Sequence, residues 1–205
     1  MKKAGADLYK AFFIAWDGFW VVFLADLFWL LLSIFVITFP AACAGLFYTM
    51  RELAYGESVD WKTFFVGVKK YFWASYRWFG FNLLVGGLLV FYMWFFSAAK
   101  ADWGQVISGI PAGVLVLWGL LNIFTFPMMM EQVKPSYFQA LRNSLVFFMK
   151  WPGYTFGFLL VIVIILGLSI WLLFPFAVLG ASLPAFFACV CIMNKTEEAR
   201  KSLKK

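Results

Sequence analysis

Residues 19–39 read FWVVFLADLFWLLLSIFVITF, an apolar run whose one ionisable residue is Asp26. Wound as a helix at about 1.5 Å per residue, such a run rises about 30 Å, the thickness of a bilayer's hydrocarbon core. A carboxylate in the middle of it costs about 2.5 kcal/mol or more. The run therefore predicts a membrane span, and Asp26 predicts a partner within it.

The rest of the chain agrees with the run. Mean hydropathy is +0.88, and the 205 residues include 27 Phe and 11 Trp with only 13% charged residues, against about 25% charged in soluble domains. No hydrophilic stretch is long enough for a separate soluble unit, so residues 1–205 read as a single integral membrane domain. The net charge of +7 falls in short clusters between apolar runs, where anionic headgroups meet it more simply than nucleic acid. Cys43, Cys189 and Cys191 lie in apolar segments and read as small hydrophobes with no disulfide framework. The Lys2-Lys3 start and the alanines after Pro40 mimic a signal peptide, but the apolar run exceeds a cleavable one, and an uncleaved first helix is expected.

Hydropathy predicts an all-α polytopic bundle of about six transmembrane helices, at about 19–39, 41–55, 78–98, 106–126, 151–174 and 176–193. The second is short enough to be re-entrant. If all six cross, sixteen of the 17 basic residues fall on one side and only Lys100 on the other, because the turns at Pro40 and Pro175 are uncharged. The positive-inside rule then makes both termini cytoplasmic. Two connections on that side carry apolar residues at helical spacing beside lysines: about 60–77, with Trp61, Phe64, Phe65, Val68 and Phe72, and 136–150, which opens with Ser136 and Gln139 in capping-box spacing. Both are expected to be interfacial amphipathic helices, with Lys62, Lys69, Lys70, Arg142 and Lys150 contacting lipid headgroups.

These connections align at an offset of 73 residues, pairing Phe65 with Phe138, Lys69 with Arg142, Arg77 with Lys150, Trp78 with Trp151 and Gly80 with Gly153. We read this as a parallel internal repeat of span, basic helix and span. By depth, Asp26, Asn82 and Asn122 fall in the same half of the membrane. They are expected to form an intramembrane polar cluster, Asp26 accepting from the two amides or pairing with Arg77. The bland alternative is interhelical hydrogen bonding, which averages about 0.6 kcal/mol per contact. Gly109/Gly113 and Gly153/Gly157 have the spacing that lets membrane helices pack closely or self-associate.

Familiar catalytic constellations are missing from the sequence. It has no histidine, which removes the HExxH zinc motif and imidazole relays, and one deep carboxylate cannot form an aspartyl dyad. No Gly-Lys-Ser/Thr phosphate loop or dinucleotide fingerprint is present. Met128, Met129 and Met130 point in different directions on a helix and read as packing, not as a soft-metal site. No enzyme activity, cofactor or metal is expected.

The stretches ADLFWLLLSIFVITFPAACAGLFYTMRELAYGE (25–57), VDWKTFFVGVKKYFWASYRW (59–78) and NIFTFP (122–127) resemble the YesL-like family of bacterial integral membrane proteins, a domain of unknown function. The resemblance implies a bacterial cytoplasmic membrane location and a context of carbohydrate uptake. It also implies asparagine at the place of Asp26, which points to a hydrogen-bonding role. On this reading the chain is a non-enzymatic accessory or regulatory component of carbohydrate uptake, whose partners are membrane lipids and another membrane protein such as a transporter subunit, or a second copy of itself. The alternative is a small transporter or channel, of one or two copies, built on Asp26, Asn82 and Asn122. A lipid-linked-sugar enzyme using Lys69, Lys70 and Arg142 ranks third, for want of an acid–base partner.

Overall fold

A computed structural model describes residues 2–97, 102–171 and 180–203 of the chain. These residues form eight α-helices and no strand: α1 (Lys2–Asp17), α2 (Phe19–Ser33), α3 (Phe39–Ala54), α4 (Trp61–Ser97), α5 (Asp102–Met130), α6 (Tyr137–Lys150), α7 (Pro152–Trp171) and α8 (Ser182–Leu203). The expected connection through Lys100 and the turn at Pro175 lie outside the described residues.

The opening run is two helices and a turn, not one rod. α2 stops at Ser33, and the Thr38 hydroxyl donates to the carbonyls of Leu32 and Phe35, occupying acceptors at the end of α2. Pro40 then takes the second position of α3, where a missing N–H is harmless. α1 joins α2 through Gly18 at a bend of 78°. A Cβ at Gly18 would lie 2.9 Å from Leu53 Cδ1, so α3 packs closely against the bend.

α3 sits at the centre. Every residue from Pro40 to Leu46 is buried, and neighbours approach it through glycines. A Cβ on Gly45 would come within 2.9 Å of Phe64, and one on Gly67 within 2.5 Å of the Tyr48 Cβ. Gly45 and Gly67 are thus positions of close packing. Gly109, Gly113 and Gly153, expected from spacing to do this work, have open space where a Cβ would stand. Between α3 and α4, Gly56 at φ +73° closes a Schellman turn, with Gly56 N–H donating to Leu53 O and Glu57 N–H to Glu52 O. Asp60 then caps α4, accepting from the Lys62 and Thr63 backbone at 3.1 Å.

The most consequential difference from expectation is α4. No break separates a surface helix at 60–77 from a span at 78–98; one helix of 37 residues covers both. Its first half is packed on α3 through Phe64, Gly67, Tyr71 and Ser75, while Trp61, Phe65 and Phe72 from the same apolar set are exposed. The second expected surface helix is separate, as α6, but Ser136 makes no side-chain cap bond; its own N–H donates to Gln132 Oε1 at 2.9 Å. The capping box is not formed.

Among the described residues three helices are long and apolar enough to cross a membrane, in α4, α5 and α7, and the bent α1–α2 pair makes up to four. The expected count of six is not confirmed among the described residues: α3 has only 16 residues, and part of the expected fifth and sixth spans lies outside the described residues. α8 is a core element, buried continuously from Pro184 to Ile192 against α3 and α7.

Burial follows the 73-residue repeat closely. From 64 to 73 and from 137 to 146 the order of buried, half-buried and exposed positions is identical, residue by residue. Phe64, Gly67 and Tyr71 in α4 hold the places of Tyr137, Ala140 and Ser144 in α6. The register continues through Trp78 and Trp151 to Pro111-Ala112 in α5 and Pro184-Ala185 in α8.

Candidate functional site

The polar residues expected to form one cluster are distributed over three places. Asp26, on α2, is 1% exposed and reaches the start of α8, where the Ser182 N–H donates to its Oδ1 at 3.0 Å. The Ser182 hydroxyl returns to α2, donating to the Val22 carbonyl at 3.2 Å. A helix start leaves N–H groups without intrahelical acceptors and a partial positive charge, and a carboxylate supplied by another helix answers both. Asp26 is therefore a cap given in trans. Its Oδ2 is buried without a partner.

Asn82 and Asn122 are bonded to tryptophans instead. The motif Trp-x-x-x-Asn occurs at 78–82 in α4 and at 118–122 in α5. Each Asn Nδ2 donates to the Trp carbonyl one turn back, Asn82 to Trp78 at 2.8 Å and Asn122 to Trp118 at 2.9 Å. Each Asn Oδ1 then accepts the indole N–H of the opposite helix, from Trp118 at 2.9 Å and from Trp78 at 3.2 Å. Four donors meet four acceptors, as an apolar surrounding requires. The spacing is visible in the sequence, but only the antiparallel meeting of α4 and α5 shows that it is reciprocal.

Arg77, one residue before this clasp, is exposed and has no ion pair or hydrogen bond among the described residues. It borders a groove of about 500 Å³ walled by Gly80, Phe81, Leu84, Tyr137 and Phe138. The Tyr137 hydroxyl is buried and approaches the Asn82 side chain without reaching hydrogen-bond geometry.

Sequence reasoning missed a polar hub at the basic end of the bundle. Glu131, just past α5, accepts from Arg51 Nε at 2.8 Å and from the Tyr55 hydroxyl at 2.9 Å, with an Arg200 nitrogen at 3.9 Å. Arg51 also pairs with Glu52 at 2.6 Å. This joins the ends of α3, α5 and α8, and nothing local in the sequence marks a pair 80 residues apart. Beside it is a cavity of about 350 Å³ bordered by Gln132, Asn143, Lys150, Trp151 and Lys195. Lys195 is buried, pairs with Glu198 at 2.6 Å and stands 4.4 Å from the Tyr154 ring centroid. The Tyr154 hydroxyl in turn donates to Asp7 at 2.9 Å, tying α1 to α7.

The cations expected at lipid headgroups are exposed, and several lie over aromatic faces: Lys62 on Trp61, Lys70 on Tyr48 and Tyr71, and Lys150 on Trp151 at 4.7 Å. Lys69 and Arg142 are exposed as well. Chemically these arrangements hold charges and helix ends in place. Among the described residues no three Cys, Asp or Glu side chains converge to hold a metal, and the three cysteines are buried apart as free thiols.

Residues 13–93 match a family described as Protein of unknown function, DUF624. The match runs from α1 almost to the end of α4, taking in the Asp26 position, α3 and Trp78–Asn82 but not α5 to α8. It supports kinship with a family whose function is not established. No curated protein and no solved structure matches the chain.

Proposed function

We propose that the protein is a non-enzymatic accessory or regulatory component of a bacterial cytoplasmic membrane, seated with its basic end and both termini toward the cytoplasm and packed against another membrane protein. The observation that carries this reading is α4 beyond the clasp. No side chain from Tyr76 to Ser97 is buried, and Leu83, Leu84 and Trp94 are each about two-thirds exposed. Phe91, Tyr92, Trp94, Phe95 and Phe96 form a run of ring contacts along it. Aromatic side chains of this kind offer large contact areas at small entropic loss, which suits a helix partner.

The internal polar groups support the same reading. The asparagines are spent on the tryptophan clasp and Asp26 on the start of α8, so they leave little for a solute pathway. A link to carbohydrate uptake rests on the family resemblance alone and belongs to the proposal. A photo-crosslinker placed at Phe91 in native membranes should capture one discrete membrane protein, the unreacted chain or a second copy being the competing products. Labelling of lipid only, repeated from Leu84 to Phe95, would remove the accessory reading, and saturable solute flux in vesicles of the pure protein would replace it with the transporter.

A further inference from the structure

The internal repeat places Arg77 and Lys150 in the same register, and each borders a cavity, of about 500 Å³ and about 350 Å³ respectively. Each is also the last charge before a long uncharged stretch, 78–97 in one case and 151–171 in the other. That is the level at which lipid phosphates stand when such a stretch is in hydrocarbon. From this we infer that the repeat builds two phospholipid sites, the headgroup phosphate held by Arg77 in one groove and by Lys150 in the other.

Each groove has the parts this requires. Among the described residues Arg77 has no carboxylate partner, so its planar fork is available for a bidentate phosphate contact. Gly80 lies one turn further on with open space in place of a side chain, and its repeat counterpart Gly153 is equally open. The wall below Arg77 is Phe81, Leu84 and Phe138, with Leu84 66% and Phe138 65% exposed. An acyl chain covers such a wall, whereas a soluble phosphate ester would leave it wet. In the second groove the carboxylate of Glu131 would repel an anion, but both its oxygens are engaged by Arg51 and Tyr55. Gln132 lines that groove with its Oε1 fixed by Ser136 and its Nε2 without an acceptor. The inference does not depend on the accessory reading, since a transporter would carry the same grooves.

The test is native mass spectrometry of the full chain in mild detergent, titrated with phosphatidylglycerol. Wild type should retain two lipids. Arg77→Gln and Lys150→Gln should each retain one, with the lost site weakened roughly five- to tenfold, and the double variant none. Arg77→Lys keeps the charge without the fork and should fall between wild type and Arg77→Gln. These positions are exposed, so elution volume and helical circular dichroism serve as folding controls, and Lys10→Gln serves as an exposed cation outside both grooves. Equal retention by wild type and the double variant overturns the inference, as does an equal loss in Lys10→Gln. Displacement of bound lipid by an equal concentration of glycerol 3-phosphate would reassign the grooves to a soluble phosphate ester and overturn the lipid assignment.

Discussion

α4 and the α6–α7 pair occupy the same register of the repeat, yet one is a single helix and the other is broken. Up to Trp78 and Trp151 the two copies bury the same positions almost throughout. At the next residue they part: α4 continues through Phe79, while α7 starts at Pro152. The residue before a proline is driven out of the helical region by the ring, and Trp151 sits at φ −132°, ψ 58°. The following turn shows a second difference. Asn82 and its counterpart Thr155 both donate to the tryptophan carbonyl one turn back, at 2.8 Å and 2.9 Å. Asn82 also presents a carbonyl oxygen that accepts from Trp118, whereas the Thr155 hydroxyl accepts from no indole among the described residues. Proline against Phe79 and threonine against Asn82 thus separate an unbroken, cross-braced helix in one copy from a jointed one in the other.

The sharpest way to break this comparison is to move the proline. Phe79→Pro removes a ladder bond and displaces Trp78 from the clasp, and it should destabilise the fold by about 3 kcal/mol or more, read as a lowered melting temperature in detergent. Retention of wild-type melting would mean that α4 tolerates a joint there, and the account of the difference would fail. A smaller effect is expected in the shared first half. Gly67→Ala drives a Cβ against Tyr48 and should cost about 1–3 kcal/mol, whereas the equivalent Ala140→Gly should cost only about 0.5–1 kcal/mol through backbone freedom. Equal losses at the two positions would show that the copies are packed alike after all.

Next comes the brace. Asn82→Leu and Asn122→Leu should each cost about 0.6–1.7 kcal/mol, and together they should lose less than the sum, because either one breaks part of the same ring of bonds. Strict additivity in a double-mutant cycle would show two independent contacts. The least disturbing change is Pro152→Phe, expected to shift stability by less than about 1 kcal/mol. It should nevertheless lengthen the distance between spin labels at Phe138 and Leu168 as the joint straightens. An unchanged distance would assign the bend to the packing of α7 on α8.

Much of this architecture was legible in the sequence, and the limits have physical causes. Hydropathy marks the apolar stretches, and five matched residues at one offset were enough to find the repeat, because burial on a helix face constrains side-chain type directly. Hydropathy does not reveal whether a helix stops at the membrane boundary. Lys62, Lys69 and Lys70 suggested a surface segment, but backbone hydrogen bonds propagate through charged and apolar residues alike, and the packing of Gly67 on Tyr48 keeps α4 on course. The candidate polar cluster was misread for a related reason. Depth along a helix can be counted from sequence, but azimuth and neighbour cannot, so Asp26 finds Ser182 at a separation of 156 residues while the asparagines find tryptophans. Glu131 meets Arg51 and Tyr55 only where the helix ends come together, and no local spacing marks residues so far apart in the chain.

At 37 residues, α4 is about 55 Å long, nearly twice a bilayer's apolar thickness, and it is clasped to α5 near its midpoint. Its first half is held on α3 through Phe64, Gly67, Tyr71 and Ser75, so the helix is a cantilever: one end is built into the bundle and the arm from Leu83 to Ser97, about 22 Å long, is the part left to bend.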